Sequence, residues 1–318
     1  MITTNSLTEL HLFVRIVEAG SLRAAALELG VEPSSVTRRL AALEARLGVT
    51  LFRRTRARTT PTDAGQRYYA GLRPLLDQLD ALEADVQGTS HEPTGLLRVA
   101  APTDFGARFV APVLRRLQER YADLRIDLVL GSGFVDLVAQ NIDVAIRVGH
   151  LPDSNLVATT LADVPRVLVA APSYLARRGT PETPDQLGEH DFIGWKSTRD
   201  RLTVEFEDGS RVELRCRFAV GSVLAIQGLV AEGVGVHLGP RWAFQEGIDQ
   251  GRFVALLDAF PVRAYPLRAL YASATYMPAK IRHFVDDMRA AVACIPGIDA
   301  RVVDRPSRAR KRPRGRAR

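Results

Sequence analysis

The chain has 318 residues, 46% hydrophobic and 25% charged, long enough for two domains with buried cores and too balanced for a mainly disordered or collagen-like chain. It has no transmembrane-length apolar run, no basic-then-apolar leader, and only two cysteines, Cys216 and Cys294. A cytoplasmic protein without membrane span, disulfide scaffold or four-cysteine zinc site is therefore expected. The net charge of +7 divides into +4 over residues 1–60, −3 over 61–90, −2 over 91–300 and +8 over 301–318. A basic amino-terminal segment on a near-neutral body reads as a nucleic-acid module carried by something else.

Residues 7–19 carry a helical period with Leu10, Phe13, Val14 and Val17 on one face, and Ser6 is expected to cap that helix. Gly20 ends it, and Ser21 caps a second, alanine-rich helix through Leu29. After the turn Gly30-Val31-Glu32, Pro33 suits the first position of a third helix, where its missing N–H costs nothing. Val36, Leu40, Leu43 and Leu47 give that helix a buried stripe, with Ser34, Ser35, Arg38 and Arg39 opposite. The arrangement predicts a helix-turn-helix whose second motif helix offers its first residues to the major groove. An ordinary helical hairpin with a solvated face has the same period. Arg53, Arg54, Arg56 and Arg58 follow with no acid among them, as in a wing laid along phosphates.

Leu7 to Gly65 resembles the winged helix-turn-helix of the LysR-type transcriptional regulators. The matching pieces are Phe13, Val17 and Gly20-Ser21-Leu22, then Ala24-Ala25-Ala26 and Leu29-Gly30. They continue with Ser34-Ser35-Val36-Thr37-Arg38-Arg39-Leu40, Leu43-Glu44, Leu47-Gly48-Val49, Leu51-Phe52, Arg54 and Thr62-Asp63-Ala64-Gly65. In the family a serine and a glutamine or proline usually open the third helix, where this chain has Glu32-Pro33. The second wing arginine falls on Ala57, flanked by Arg56 and Arg58, and Pro61 replaces a leucine. The resemblance implies that Ser34, Ser35, Thr37, Arg38 and Arg39 read or position on bases of double-stranded DNA, with Arg53, Arg54, Arg56 and Arg58 on phosphates.

Thr62 is expected to cap the next helix. There Tyr68, Leu72, Leu75, Leu79, Leu82 and Val86 recur alternately four and three apart, a coiled-coil seam of about three heptads. A single amphipathic helix packed on its own body shows a similar stripe; the family resemblance favours the seam, because members dimerise through this helix. Pro74 is expected to bend it near Ala70, and the polar, turn-rich Gly88 to Gly95 reads as a hinge.

The body alternates expected strands (96–101, 125–130, 144–147, 167–171, 234–238) with expected helices (107–121, 134–140, 222–232). A hairpin joins 202–206 to 211–220 through Asp208-Gly209. Repeated βα units imply an open α/β sheet with ligands at the carboxyl ends of its strands. This region resembles the LysR effector-binding domain, which is similar to periplasmic binding proteins. The matches include Val135-Asp136-Leu137-Val138, Ile142-Asp143-Val144-Ala145-Ile146-Arg147-Val148-Gly149, Ala171-Pro172-Ser173-Tyr174-Leu175-Ala176 and Ala231-Glu232-Gly233-Val234-Gly235-Val236. In all, the resemblance covers about Leu7 to Cys294.

The implied architecture is a winged helix-turn-helix domain (6–62), a linker dimerisation helix (63–88) and a two-subdomain α/β domain (95–297). Its first subdomain is expected at 95–165 plus 269–297, its second at 166–268. A cleft between them would draw on Thr103, Asp104, Ser132, Gly133 and Arg147 from one side and Ser222, Val223 and His237 from the other. Each of these also has a structural reading. Asp104 is odd beside an anion and fits a helix cap, and Arg147 has Asp143 and Asp136 as alternative partners.

No nucleophile elbow, phosphate loop or zinc-protease motif occurs, and the six histidines are scattered. Cys216, between Arg215 and Arg217, reads either as an inert half-buried thiol or as a redox-sensitive one. Residues 301–318 are low-complexity and basic, a second DNA contact or a solvated extension. The combined expectation is a non-enzymatic, sequence-specific DNA-binding regulator with no cofactor. It would be controlled by a small-molecule co-inducer, with itself and RNA polymerase as partners and no membrane. A constitutive architectural DNA binder is the alternative; an enzyme carrying a helix-turn-helix is the other rival.

Overall fold

The computed structural model describes residues 4–54, 59–87, 92–131, 137, 140–149, 156–195, 201–272 and 277–299. Three helices come first: α1 (Thr4–Ala19), α2 (Leu22–Glu28) and α3 (Pro33–Leu47). Ser21 caps α2, its Oγ accepting from the N–H of Ala24 at 3.0 Å, whereas Ser6 lies inside α1 instead of capping it. Pro33 opens α3, and Gly48 closes it at φ 67°, a conformation that a side chain would strain. The wing is an antiparallel pair, β1 (Phe52–Arg54) and β2 (Thr59–Pro61). Glu44 on α3 accepts from the N–H groups of Leu51 (2.7 Å) and Phe52 (3.2 Å), which fixes where the wing leaves the helix.

The linker helix α4 (Asp63–Gln87) runs through Pro74 as one element, and Thr62 Oγ1 accepts from the N–H of Gly65 at its start. Its apolar stripe is divided. Leu72 and Leu76 are buried and Tyr68 half-buried in the core of the amino-terminal domain, with the Tyr68 ring 5.1 Å from Phe13. Leu75 and Val86 are exposed, and Leu79 and Leu82 half-buried. The expected six-residue seam is thus corrected: its first two members are occupied within the protomer.

The body begins with β3 (Gly95–Ala101), followed by α5 (Thr103–Phe105), a π turn (Gly106–Val110) and α6 (Ala111–Arg120) in place of one regular helix. A Cβ on Gly106 would lie 2.4 Å from Leu130 Cδ2 and 2.9 Å from Ala101 Cβ, so the close approach of this turn to the sheet requires glycine. Next come β4 (Leu124–Leu130), β5 (Val144–Val148) and β6 (Leu156–Val164). The second subdomain holds β7 (Arg166–Ala170), α7 (Pro172–Arg178), a 3-10 turn (Pro184–Glu189) and β8 (Asp191–Trp195). It continues with β9 (Arg201–Glu205), β10 (Arg211–Val220), α8 (Val223–Ala231), β11 (His237–Pro240), α9 (Arg241–Asp249) and β12 (Val254–Leu256). The chain then returns through β13 (Tyr265–Ala272) to α10 (Ala279–Val292).

The first subdomain is a five-stranded sheet in the order β4-β3-β5-β13-β6. Strands β3, β4 and β5 are mutually parallel, and β13 is antiparallel to both β5 and β6. The second has two three-stranded sheets, β11-β7-β12 and β8-β10-β9. The β9–β10 hairpin turns where Asp208-Gly209 places it, with Glu205 opposite Arg211. Val262 still bridges to Phe206 of the second subdomain and β13 joins the first sheet from Tyr265 onward, so the return crossing lies at residues 263–264, earlier than the expected 269. Arg166 fastens the two crossing segments, donating from Nε to Arg263 O (2.9 Å) and from Nη1 to the Tyr265 hydroxyl (2.9 Å).

Candidate nucleic-acid interface and effector cleft

On α3 the buried stripe Val36, Leu40 and Leu43 turns the opposite face outward. Ser34 and Arg38 are exposed; Ser35, Thr37 and Arg39 are half-exposed, with the Thr37 hydroxyl donating to Pro33 O at 3.1 Å. Arg53 is exposed on β1. No described acidic residue pairs with Arg38, Arg39 or Arg53, so their donors face solvent uncompensated. The Arg54 side chain, Arg56, Arg58 and the basic tail lie outside the described residues.

Arg73 of α4 is only 5% exposed. Its Nη1 and Nη2 meet Asp143 Oδ1 and Oδ2 at 2.8 and 3.1 Å, Nε meets Glu18 Oε1 at 3.2 Å, and Nη2 also donates to Leu96 O. Burial alone would lower its pKa; Asp143 and Asp77 outweigh that and hold the guanidinium above its ordinary value. Around it, Glu18 takes Arg125 Nη2 at 2.9 Å, and Lys280 Nζ reaches Asp77 at 2.9 Å and Leu96 O at 3.1 Å. Asp143 also accepts from the Arg98 N–H at 2.7 Å. These bonds fasten α1 and α4 to β3, β4 and α10. Asp143 is thereby committed to the linker helix, which removes it as the partner of Arg147; Asp136 lies outside the described residues.

The two subdomains meet along α5, the π turn, α8 and α9. Phe105 and Phe109 both pack edge-on against Trp242 with ring centroids 5.6 and 5.3 Å away. Asp104 spans the boundary, accepting from the Val223 N–H at 2.9 Å and from the Ser222 hydroxyl at 3.5 Å. The start of α8, where Ser222 and Val223 were expected to line the cleft, already holds a carboxylate of the chain itself. Thr103 opens α5 beside it. Ser132 and Gly133 lie outside the described residues.

His237 does not line the cleft. It is 3% exposed, its ring lies between Phe192 and Phe244, and Nδ1 is 2.7 Å from Ile193 O. Burial depresses its pKa to about 4, so it is a neutral core residue. Arg147, at the carboxyl edge of β5, is half-buried. Its Nη2 is buried without a hydrogen-bond partner, and Nη1 reaches only Ile146 O at 3.4 Å. Trp242 Nε1 is the other such atom among the described residues. No cluster of described residues could hold a metal ion, and no described helix is long and apolar enough to cross a membrane. Cys216 is half-buried, with Sγ 3.1 Å from Phe218 O.

Residues 7–66 match the family of bacterial regulatory helix-turn-helix proteins of the lysR type, and residues 90–293 match the LysR substrate binding domain. The chain belongs to the LysR-type family of transcriptional regulators. Among its relatives is the HTH-type transcriptional regulator PtxR of Pseudomonas aeruginosa, 34% identical over 89% of this chain and 92% of that protein. The transcriptional activator AaeR of Escherichia coli is 30% identical over 89% and 92%. The structure of CrgA, a LysR-type regulator from Neisseria meningitidis, superposes with a TM-score of 0.56 at 29% identity, covering 89% of this chain and 97% of that one. This LysR-type protein is therefore a DNA-binding transcriptional regulator and not an enzyme, with the helix-turn-helix and two-subdomain regulatory architecture of its family. Sequence reasoning missed Arg73 and Lys280 as junction residues; a buried-stripe helix that carries an arginine between Leu72 and Leu76 was the available signal.

Proposed function

We propose that this regulator binds an interrupted palindrome as a dimer or larger oligomer and is switched by a small molecule held between its two subdomains. The observation that carries the DNA reading is the uncompensated donor face of α3 and β1, with Ser34, Arg38 and Arg53 exposed. Ser34, Ser35, Thr37, Arg38 and Arg39 would contact bases or position α3 in the major groove, and the wing arginines would neutralise phosphates. The exposed Leu75 and Val86 with Leu79 and Leu82 would form the contact between two linker helices.

For the effector, the two orphan donors at the subdomain boundary, Arg147 Nη2 and Trp242 Nε1, support a ligand between the subdomains, because buried donors are normally satisfied. Thr103 and the Asp104 contact to α8 border the same boundary. Closure of the subdomains would reposition the DNA-binding pairs, and RNA polymerase is the partner through which that change would act.

A footprint on DNA upstream of this protein's own gene, at fixed near-physiological salt, tests the reading. The full chain and a chain ending at Ala300 should protect the same discrete interrupted palindrome. Diffuse protection that disappears with the tail favours the architectural reading, in which the body only oligomerises. Protection that no small molecule alters removes effector control while leaving specific DNA binding intact.

A further inference from the structure

The register of the first sheet places Arg147 of β5 directly opposite Arg268 of β13. Side chains at directly opposed positions leave the same face of an antiparallel pair with Cβ atoms about 4.5–5.5 Å apart. The two arginine side chains therefore leave one small region of the same sheet face. Thr160 of β6 stands opposite Arg268 in turn, adding a hydroxyl to the same row.

Neither arginine forms an ion pair with a described residue, although all three residues of the row are half-buried. Asp143, the acid nearest to Arg147 in sequence, is taken by Arg73 and Lys280. Arg147 retains a buried Nη2 with no acceptor, and burial lowers its pKa. Arg73, which is buried more deeply, is by contrast matched on every nitrogen. The Arg147–Arg268 row is thus a cationic site built with the acceptor left out.

Its position in the fold says where that acceptor comes from. Strand β5 runs towards the crossing between subdomains, and β13 enters from it, so the row lies at the cleft edge of the first sheet. The start of α8 across the cleft is already occupied by Asp104. An anion entering the cleft would therefore find its compensating charge on the sheet rather than at the helix terminus.

We propose that Arg147 and Arg268, with the Thr160 hydroxyl, bind a small dianion, a phosphate monoester or a dicarboxylate. Two guanidinium groups match two negative charges, and each presents paired N–H donors to oxyanion geometry. A monocarboxylate leaves one of the two cations uncompensated and binds less well. This deepens the effector reading, on which it rests, by naming the ligand class and adding Arg268 as a specificity-determining residue.

The test is isothermal titration calorimetry of the full chain with phosphate, succinate and acetate at constant ionic strength and pH, alongside Arg147→Gln, Arg268→Gln and Arg268→Lys. Phosphate or succinate should bind more tightly than acetate, and which of the two binds separates the phosphate from the dicarboxylate source. Each glutamine variant should weaken dianion binding by about tenfold or more, as expected for losing a charge-assisted contact. Arg268→Lys, which keeps the charge, should fall between. The unliganded variants should melt at or above the wild-type temperature, which shows that they are folded. Wild-type dianion affinity in both glutamine variants would place the anion on the basic wing or tail and overturn the proposal, as would no preference for dianions over acetate. Specific dianion binding with an unchanged footprint keeps the site and removes effector control; a footprint that responds only to uncharged molecules overturns the dianion site and keeps effector control.

Discussion

The guanidinium of Arg73 meets Asp143 twice and Glu18 once within 3.2 Å, whereas that of Arg147 leaves Nη2 buried with no acceptor. Both arginines sit in the first α/β subdomain or against it, and both lose water on folding. At Arg73 the chain supplies the opposite charge and fastens the linker helix to the regulatory body. At Arg147 it supplies a second arginine across the strand. The first arrangement holds structure, and the second leaves a buried donor without an acceptor, on which the anion site proposed above is built. Arg38 and Arg53 extend the contrast to the surface, where uncompensated charge is cheap because water screens it.

Removing an acid from the paired cluster should give the largest effect. Asp143→Asn leaves Arg73 and Lys280 facing a neutral amide, and the loss of one partner from a buried pair costs about 3–5 kcal/mol. Chemical denaturation should show it as a large drop in midpoint. If the midpoint barely moves, the junction is not the rigid element described above.

A buried group without any charged partner gives the next effect. His237 stays neutral in the folded state with a pKa of about 4, below the ordinary 6.5. Above pH 6.5 it adds no pH dependence. As pH falls from 6.5 towards 4, the unfolded chain binds a proton that the folded one does not, so stability declines across that window by roughly 3 kcal/mol. His237→Asn, whose amide can still donate to Ile193 O, should flatten that part of a melting-temperature profile.

Asp104→Asn sharpens the comparison at the subdomain boundary. It replaces a charge-assisted contact to the start of α8 by a neutral one and should cost about 1 kcal/mol, the scale of a helix cap. Melting curves of the full chain would measure it; a cost as large as that of Asp143→Asn would make the boundary, rather than the linker junction, the main electrostatic tie. Smallest in stability is Arg38→Ala, expected within about 0.5 kcal/mol of wild type. Its effect belongs to DNA: affinity should fall, and if the side chain contacts a phosphate the slope of log affinity against log salt should drop by about one. Binding curves at several salt concentrations check both.

The helix-turn-helix was legible because its signals are local. Gly20, Ser21 and Pro33 mark helix ends, and the spacing of Val36, Leu40 and Leu43 marks the buried face. The β9–β10 hairpin was legible through Asp208-Gly209 for the same reason. Strands β6 and β13, which carry the chain between subdomains, and helix α10 were not called as elements. Their apolar residues serve a sheet whose order, β4-β3-β5-β13-β6, is set by pairings distant in sequence. The cleft suffered most from this. Arg147 could be named from the strand that it ends, but Arg268 acquires meaning only through cross-strand register. His237 was misplaced because a strand end near a cleft can still turn its side chain into the core. Period alone could not divide the linker stripe: Leu72 and Leu75 look alike in sequence, yet one faces the protomer's own core and the other is exposed.

The most direct measurement is the equilibrium denaturation of Arg73→Met and Arg147→Met full chains beside the wild type, without added anion. Both substitutions replace a guanidinium by an unbranched apolar side chain. Arg73→Met should lose about 3–5 kcal/mol, because Asp143 and Glu18 are left buried without their cation. Arg147→Met should be as stable as wild type or more so, because it removes a buried charge that has no partner. Equal destabilisation by the two substitutions would contradict the distinction between a paired arginine that builds the fold and an unpaired one proposed to bind an anion.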